Sequence, residues 1–147
     1  LRKDFIVDPW QIRESRSLGA DCILLIMAAL KLEDAVLLEK EAIDLGMDVL
    51  IETHTREEIE MANKLKSKLV GVNNRNLKTM EVNINNTLKL KKFIDPEKIL
   101  VAESGLKTHS DLKFFKENGI INFLIGESLM KEKNLTLATK TILGIKN

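Results

Sequence analysis

A lysine, two glutamates, an asparagine and an arginine stand where short apolar runs stop. Lys3 comes just before Asp4-Phe5, Glu52 follows Val49-Leu50-Ile51, Asn73 and Arg75 follow Leu69-Val70-Gly71-Val72, and Glu103 follows Leu100-Val101-Ala102. A lysine buried at a mouth lined by carboxylates can act as a general acid. A glutamate that closes an apolar run is costly unless paired or functional, so Glu52 reads as a general base or as the charged partner of Lys3. Asn73 both donates and accepts, which suits orientation of a hydroxylated substrate. Arg75 suits a carboxylate or phosphate, with a loop-fixing salt bridge as its structural alternative. Glu103-Ser104-Gly105 offers a charge, a hydroxyl and a backbone amide in succession, and Gly126-Glu127-Ser128 precedes a short predicted helix. Backbone amides of Gly105, Gly126 and Glu127 at two such ends would make a phosphate cradle. Phe5, Leu24 and Leu124 read as packing, with an apolar wall for an aromatic ring as the second reading. His54 reads as a loop residue beside the site rather than a catalyst, and His109, in the first turn of a capped helix, as solvated. No Cys/His spacing suggests a metal site.

The elements that would position these groups alternate. Strands are predicted at the opening residues up to Lys3-Asp4-Phe5, at Cys22–Ile26, Val49–Glu52, Leu69–Asn73, Leu100–Glu103 and Phe123–Ile125. Helices start at Asp8-Pro9, at Leu32, at the capping box Thr55-x-x-Glu58, around Asn86, at the box Thr108-x-x-Asp111 and at Asn134, with a short turn at Glu127–Met130. Strand then helix, six times over, is the rhythm of a parallel α/β architecture. Without a GxGxxG after any strand, an open doubly wound nucleotide-binding sheet is the weaker choice. Polar groups at every strand's carboxyl end favour a (β/α)8 TIM barrel, whose site lies on that face. A barrel of roughly 250 residues has eight units. The expectation is therefore a single partial barrel over residues 1–147, with about six of eight βα units present and the missing ones ahead of Leu1.

Composition sets the class. At 147 residues, 44% hydrophobic and 31% charged, the chain is that of a globular domain. A net charge of +1 with interspersed signs gives no sign of a nucleic-acid groove or an anionic membrane surface. No apolar stretch approaches the roughly 18 residues of a spanning helix. The single cysteine, Cys22, reads as a buried structural thiol and fits a reducing cytoplasm.

With these residues in view, the chain closely resembles the indole-3-glycerol-phosphate synthase family from Leu1 to the last helix. Leu1-Arg2-Lys3-Asp4-Phe5, Leu24-Leu25-Ile26, Glu52, Gly71-Val72-Asn73-Asn74-Arg75-Asn76-Leu77, Ala102-Glu103-Ser104-Gly105 and Leu124-Ile125-Gly126-Glu127-Ser128-Leu129-Met130 follow its motifs in order and spacing. The resemblance implies a lyase of tryptophan biosynthesis, a carboxy-lyase that needs no cofactor. It would convert 1-(2-carboxyphenylamino)-1-deoxyribulose 5-phosphate to indole-3-glycerol phosphate by decarboxylating ring closure. In that scheme Lys3 is the acid on the ribulose carbonyl, and Glu52 stabilises the developing cation and aids deprotonation. Asn73 and Glu103 orient hydroxyls, while Ser104, Gly105, Gly126 and Glu127 line the phosphate end. Phe5, Leu24 and Leu124 surround the anthranilate ring, with Arg75 close by. The family's Glu-x-Lys and Ser-Pro-Ser motifs are not in this sequence, so the chain is expected to be a carboxyl-terminal portion with little activity alone. Its open sheet edge would invite self-association. The alternatives are another phosphate-binding barrel such as phosphoribosylanthranilate isomerase, or a non-catalytic half-barrel that self-associates.

Overall fold

The computed structural model describes residues 1–145, and its centre is one sheet of five parallel strands. These are β1 (Cys22–Ile26), β2 (Asp48–Thr53), β3 (Leu69–Asn73), β4 (Ile99–Glu103) and β5 (Asn122–Leu124), side by side in chain order. The intervening helices are α1 (Pro9–Ser17), α2 (Leu32–Asp44), α3 (Arg56–Ala62), α4 (Asn85–Leu90), α5 (His109–Glu117), α6 (Glu127–Met130) and α7 (Leu135–Leu143). A sequential order has no point at which the strand sequence reverses. A doubly wound sheet has such a switch point, so the open nucleotide-binding alternative fails on topology.

The helix boundaries follow from capping chemistry. Asp8 accepts from the Trp10 amide while the Gln11 side chain accepts from the Asp8 amide, a full capping box ahead of Pro9 at N1. Thr108 and Asp111 form the predicted box at α5. At α3 only half of the predicted box exists. Thr55 accepts from the Glu58 amide, but the Glu58 carboxylate reaches past Thr55 to the amide of His54 at 2.7 Å.

The opening strand differs from expectation. Arg2 makes one parallel bridge to Ile23, donating to the Cys22 carbonyl at 2.9 Å and accepting from the Leu24 amide. The chain bends at Asp4 and leaves the ladder for α1, so five strands and one bridge stand where six strands were predicted.

Each strand divides its side chains by alternation. On the helix-covered face, Ile23, Leu25, Val49, Ile51 and Val70 pack with Ile12, Ala35, Leu38 and Ala42 of α1 and α2. Val72 meets Ile59 and Leu90, and Ala102 joins Leu112, Phe115 and Ile142. The other face begins apolar, with Leu24, Ile26 and Leu50 packed by Leu69, Val101 and Leu124. It ends polar: Glu52, Asn73 and Glu103 share its carboxyl-end rim and are all buried.

The amino-terminal end of the sheet is pinned by a buried carboxylate. Glu39 of α2 accepts from the amides of Lys66 and Ser67 at 2.9 and 2.6 Å, and Lys98 caps the carbonyls of Leu65 and Ser67 from the other side. Truncating Glu39→Ala removes the shared acceptor of two part-buried amides and should cost about 1–3 kcal/mol in urea unfolding, with the Lys3 end of the sheet unaffected.

Candidate active site

Three strand ends bring the predicted groups into contact. Register sets Glu52 beside Gly71, and Asn73 beside Glu103. Lys3 reaches over from the edge to place Nζ 3.0 Å from Glu52 Oε2 and 3.6 Å from Glu103 Oε2. Asn73 Nδ2 donates to Glu52 Oε1 at 3.0 Å, and Asn73 Oδ1 accepts from the Arg75 amide at 2.9 Å. Asn73 therefore orients the glutamate as well as facing the mouth. Asn74, which the sequence reading passed over, ties the rim together: its amide donates to the Glu103 carbonyl and its side chain joins Ser104 to Thr87 of α4.

Gly71 was also missed, and its role is spatial. A Cβ there would lie 1.9 Å from Glu103 Oε1, so the empty side-chain position on β3 is the berth of the glutamate on β4. A glycine inside a strand is the signal that could have pointed to it.

Two carboxylates share one cation, and their acidities separate. Burial pushes Glu103 up first, and the neighbouring Glu52 adds to it, bringing the group to about 8. Burial also pushes Glu52 upward, but the Asn73 amide and the Lys3 charge outweigh it and hold that carboxyl below its ordinary value. Among the described residues neither Glu103 oxygen has a hydrogen-bond partner. At neutral pH the cluster thus presents an ionised Glu52, a protonated Glu103 and the Lys3 ammonium, a base and two acids within one rim. Environments that drive paired groups apart are the mark of acid–base sites.

The remaining predicted residues fall into place unevenly. Leu24 and Leu124 lie in one apolar cluster beneath the rim, whereas Phe5 is exposed and packs no wall in this structure. The Arg75 guanidinium pairs with the Glu127 carboxylate, which also holds Lys131 Nζ, so the salt-bridge alternative for Arg75 is the one seen. Glu127, read for its amide, also uses its side chain to join the β3 rim to α6. Ser104 and Gly105 both take left-handed backbone angles, φ 63° and 79°, and a Cβ on Gly105 would press Val82 at 2.6 Å. Among the described residues, the amides of Gly105, Gly126 and Glu127 meet no protein acceptor. His109, read as solvated, sets Nδ1 3.2 Å from the Ile142 carbonyl. His54, read as a loop residue beside the site, lies there: Nε2 is 3.4 Å from Glu52 Oε1 and Nδ1 3.3 Å from Glu58 Oε2.

A cavity of about 630 Å³ lies elsewhere, between α6 and α7, lined by Lys107, Ser128, Lys131, Asn134 and Leu137 among others. Its described lining holds one carboxylate, Glu132, and no pair, so the candidate chemistry is placed at the Lys3 rim.

With that geometry in place, the comparisons are decisive. The family profile for indole-3-glycerol phosphate synthase matches residues 1–142. The chain belongs to this family. It is 53% identical over 144 residues to the indole-3-glycerol phosphate synthase of Azospirillum brasilense, covering 98% of this chain and 55% of that protein. It is 47% identical over 145 residues to that of Zymomonas mobilis subsp. pomaceae, covering 99% and 55%. The chain thus spans about half the length of the curated relatives it matches. Among solved structures, 3-hexulose-6-phosphate synthase from Salmonella typhimurium superposes with a TM-score of 0.77 at 11% identity, over 95% of this chain and 69% of that one. A structure described as native KDPGal gives 0.68 at 15%, over 95% and 63%. Such likenesses establish the fold, and these neighbours carry the TIM-barrel architecture. The five-stranded sheet is an open arc of it.

Two measurements check the electrostatics of this family member's rim. A raised acid binds its proton more tightly folded than unfolded, so its contribution to stability is full below about pH 4.3 and is lost as pH rises through about 8. Glu103→Gln removes that loss. Its Tm should rise relative to the unmodified chain from pH 5 to pH 8, by roughly 2–4 °C for each 1 kcal/mol relieved. Gly71→Ala drives a methyl into the Glu103 carboxylate and should lower Tm sharply, and Gly71→Ala/Glu103→Ala should recover much of the loss, a coupling that a double-mutant cycle reads directly.

Proposed function

We propose that this chain carries the catalytic rim of an indole-3-glycerol-phosphate synthase, a carbon–carbon lyase acting on a small phosphorylated substrate. The observation that supports it best is Lys3 held between Glu52 and Glu103, with Asn73 fixing Glu52.

Ring closure needs an electrophilic carbonyl and a base for the proton lost later. The Lys3 ammonium donates to the ribulose carbonyl oxygen as the carboxylate-bearing aromatic carbon attacks, so a C–C bond forms and the oxygen becomes a hydroxyl. Loss of the carboxyl group as carbon dioxide returns the electron pair to the ring. The hydroxyl then takes a proton from the protonated Glu103 and leaves as water, and Glu52 takes a ring-system proton as the indole forms. The Glu52 carboxylate also steadies the positive charge that develops before each loss, which is electrostatic stabilisation at a site where water is scarce. A protonated Glu103 donates to a substrate hydroxyl, and Asn73 keeps Glu52 aimed. The amides of Gly105, Gly126 and Glu127 with the Ser104 hydroxyl would hold the phosphate. Arg75 would meet the substrate's carboxylate by exchanging its Glu127 partner, and Leu24 and Leu124 would underlie the aromatic ring, with Phe5 folding in above it. None of these steps calls on a cofactor or metal, and the reaction belongs to the cytoplasm.

The test is ring closure followed by indole-glycerol phosphate fluorescence, in the chain alone and with the unmatched half of the Azospirillum relative supplied in trans. Activity should be slight alone and gained on mixing. No gain would overturn the reading. Lys3→Met in the mixed enzyme should lower kcat by about 10²-fold or more, with little change in KM.

A second reading concerns the edge. Phe5, Val7 and Trp10 are exposed beside the single Arg2 bridge, which supports self-association of the chain alone. Light scattering should find a concentration-dependent oligomer that the added half dissociates, and a strict monomer would remove this reading.

A further inference from the structure

Asn74 and Thr87 are a buried polar pair that the scheme above leaves unused. They are 3% and 0% exposed, and they join the end of β3 to the first turn of α4. That helix follows Ile84 with no side-chain cap of its own. Asn74 Oδ1 supplies one from the β3 end, accepting from the Thr87 amide at 3.1 Å and from the Thr87 hydroxyl at 2.8 Å. Two donors on Oδ1 settle which way the side-chain amide faces. Nδ2 is turned toward the end of β4, where it donates to the Ser104 carbonyl at 3.2 Å. The Asn74 backbone is fixed as well: its amide donates to the Glu103 carbonyl at 2.8 Å and its carbonyl accepts from the Asn83 amide at 2.9 Å.

The grip on Ser104 also aims the next group along the chain. The carbonyl and the N–H of one planar trans peptide point in opposite directions, so a Ser104 carbonyl held inward against Asn74 turns the Gly105 N–H outward. That N–H meets no protein acceptor among the described residues. Rotation of the peptide would exchange the two and put a partly negative carbonyl oxygen where the N–H now points. Gly105 stands at φ 79°, but glycine takes either sign of φ, so residue 105 itself does not forbid the rotation. Nor does the ladder, since β4 stops at Glu103. The hydrogen bond from Asn74 favours the outward N–H, and Thr87 is what aims Asn74.

We propose that Asn74, aimed by Thr87, is a positioning residue for the substrate's phosphate. It acts through the Ser104–Gly105 peptide, presenting an N–H to the anion and keeping a carbonyl oxygen away from it. The inference deepens the synthase reading and rests on it for the place of the phosphate at Gly105. Asn74 thereby tunes affinity for the phosphate end of the substrate without touching it.

Two experiments test it. In the chain itself, inorganic phosphate is titrated while the backbone amides are followed by nitrogen-15 NMR. The Gly105 amide should shift saturably, and Asn74→Ala should weaken the apparent affinity about tenfold, the worth of one hydrogen bond to an anion. Thr87→Val fills the space of the threonine and should weaken it about threefold; it decides the matter if Asn74→Ala does not fold, and Tm is recorded for both. In the mixed enzyme, Asn74→Ala should raise KM about tenfold with kcat within about twofold. The inhibition constant of inorganic phosphate should rise by the same factor, while that of anthranilate, which lacks the phosphate, stays unchanged. A Gly105 amide indifferent to phosphate, or a phosphate affinity that either variant leaves unchanged, would overturn the proposal. So would an equal rise for phosphate and anthranilate, which is what a merely structural residue would give. If the unsubstituted mixed enzyme does not close the ring, it is the synthase reading that fails, and the phosphate titration alone decides the role of Asn74.

Discussion

One ammonium between two buried carboxylates is the constraint on which the rest of this structure depends. Glu52 and Glu103 are each about 1% exposed, and Lys3 can neutralise only one of them. Like charges at such proximity in a poorly solvated rim cannot both persist, so the pair resolves into one ionised and one protonated carboxyl. The asymmetry comes from the neighbours. Glu52 has the nearer ammonium and the Asn73 amide, whereas the Glu103 oxygens lie over the bare Gly71 backbone. A site of this kind opposes folding, and apolar packing elsewhere must offset it.

The sheet separates those two tasks by face and by end. Its helix-covered side carries continuous aliphatic packing from Ile23 across to Ala102, with nothing for chemistry to disturb. The amino-terminal ends of the strands are fixed by Glu39 and Lys98, whose partners are all backbone groups. The carboxyl-terminal ends carry every group assigned to the reaction. In barrels of this architecture that division recurs, because loops there can vary without altering the strands beneath.

The loop after β3 links the parts. Three successive residues do different work: Asn73 aims Glu52, Asn74 fastens β4 and α4 together, and Arg75 spans to Glu127 at the mouth of α6. Holding the Ser104 backbone in a left-handed conformation, which costs energy for a residue with a side chain, is possible because Asn74 grips its carbonyl at 3.2 Å. The rim is thus one hydrogen-bonded unit from Lys3 to Glu127 rather than a set of independent side chains.

Much of this was legible in the sequence. Apolar runs of four or five residues closed by Glu or Asn mark buried parallel strands and the end at which they deliver chemistry, because both signals are local. Asp8-Pro9, Thr108-x-x-Asp111 and Asn134 set helix starts for the same reason. The family motifs named Lys3, Glu52, Asn73 and Glu103 together. Three-dimensional packing alone decided the rest. Gly71 matters because the Glu103 side chain leans across from β4 into the space a Cβ on residue 71 would fill, and no property of residue 71 contains that. The Thr55-x-x-Glu58 pattern predicted a cap, yet Glu58 found His54 closer at hand, and so a histidine that looked like loop came to face Glu52. The division of protons between two glutamates likewise depends on which one the Lys3 ammonium reaches, a distance fixed by the curl of the sheet and by no residue's identity.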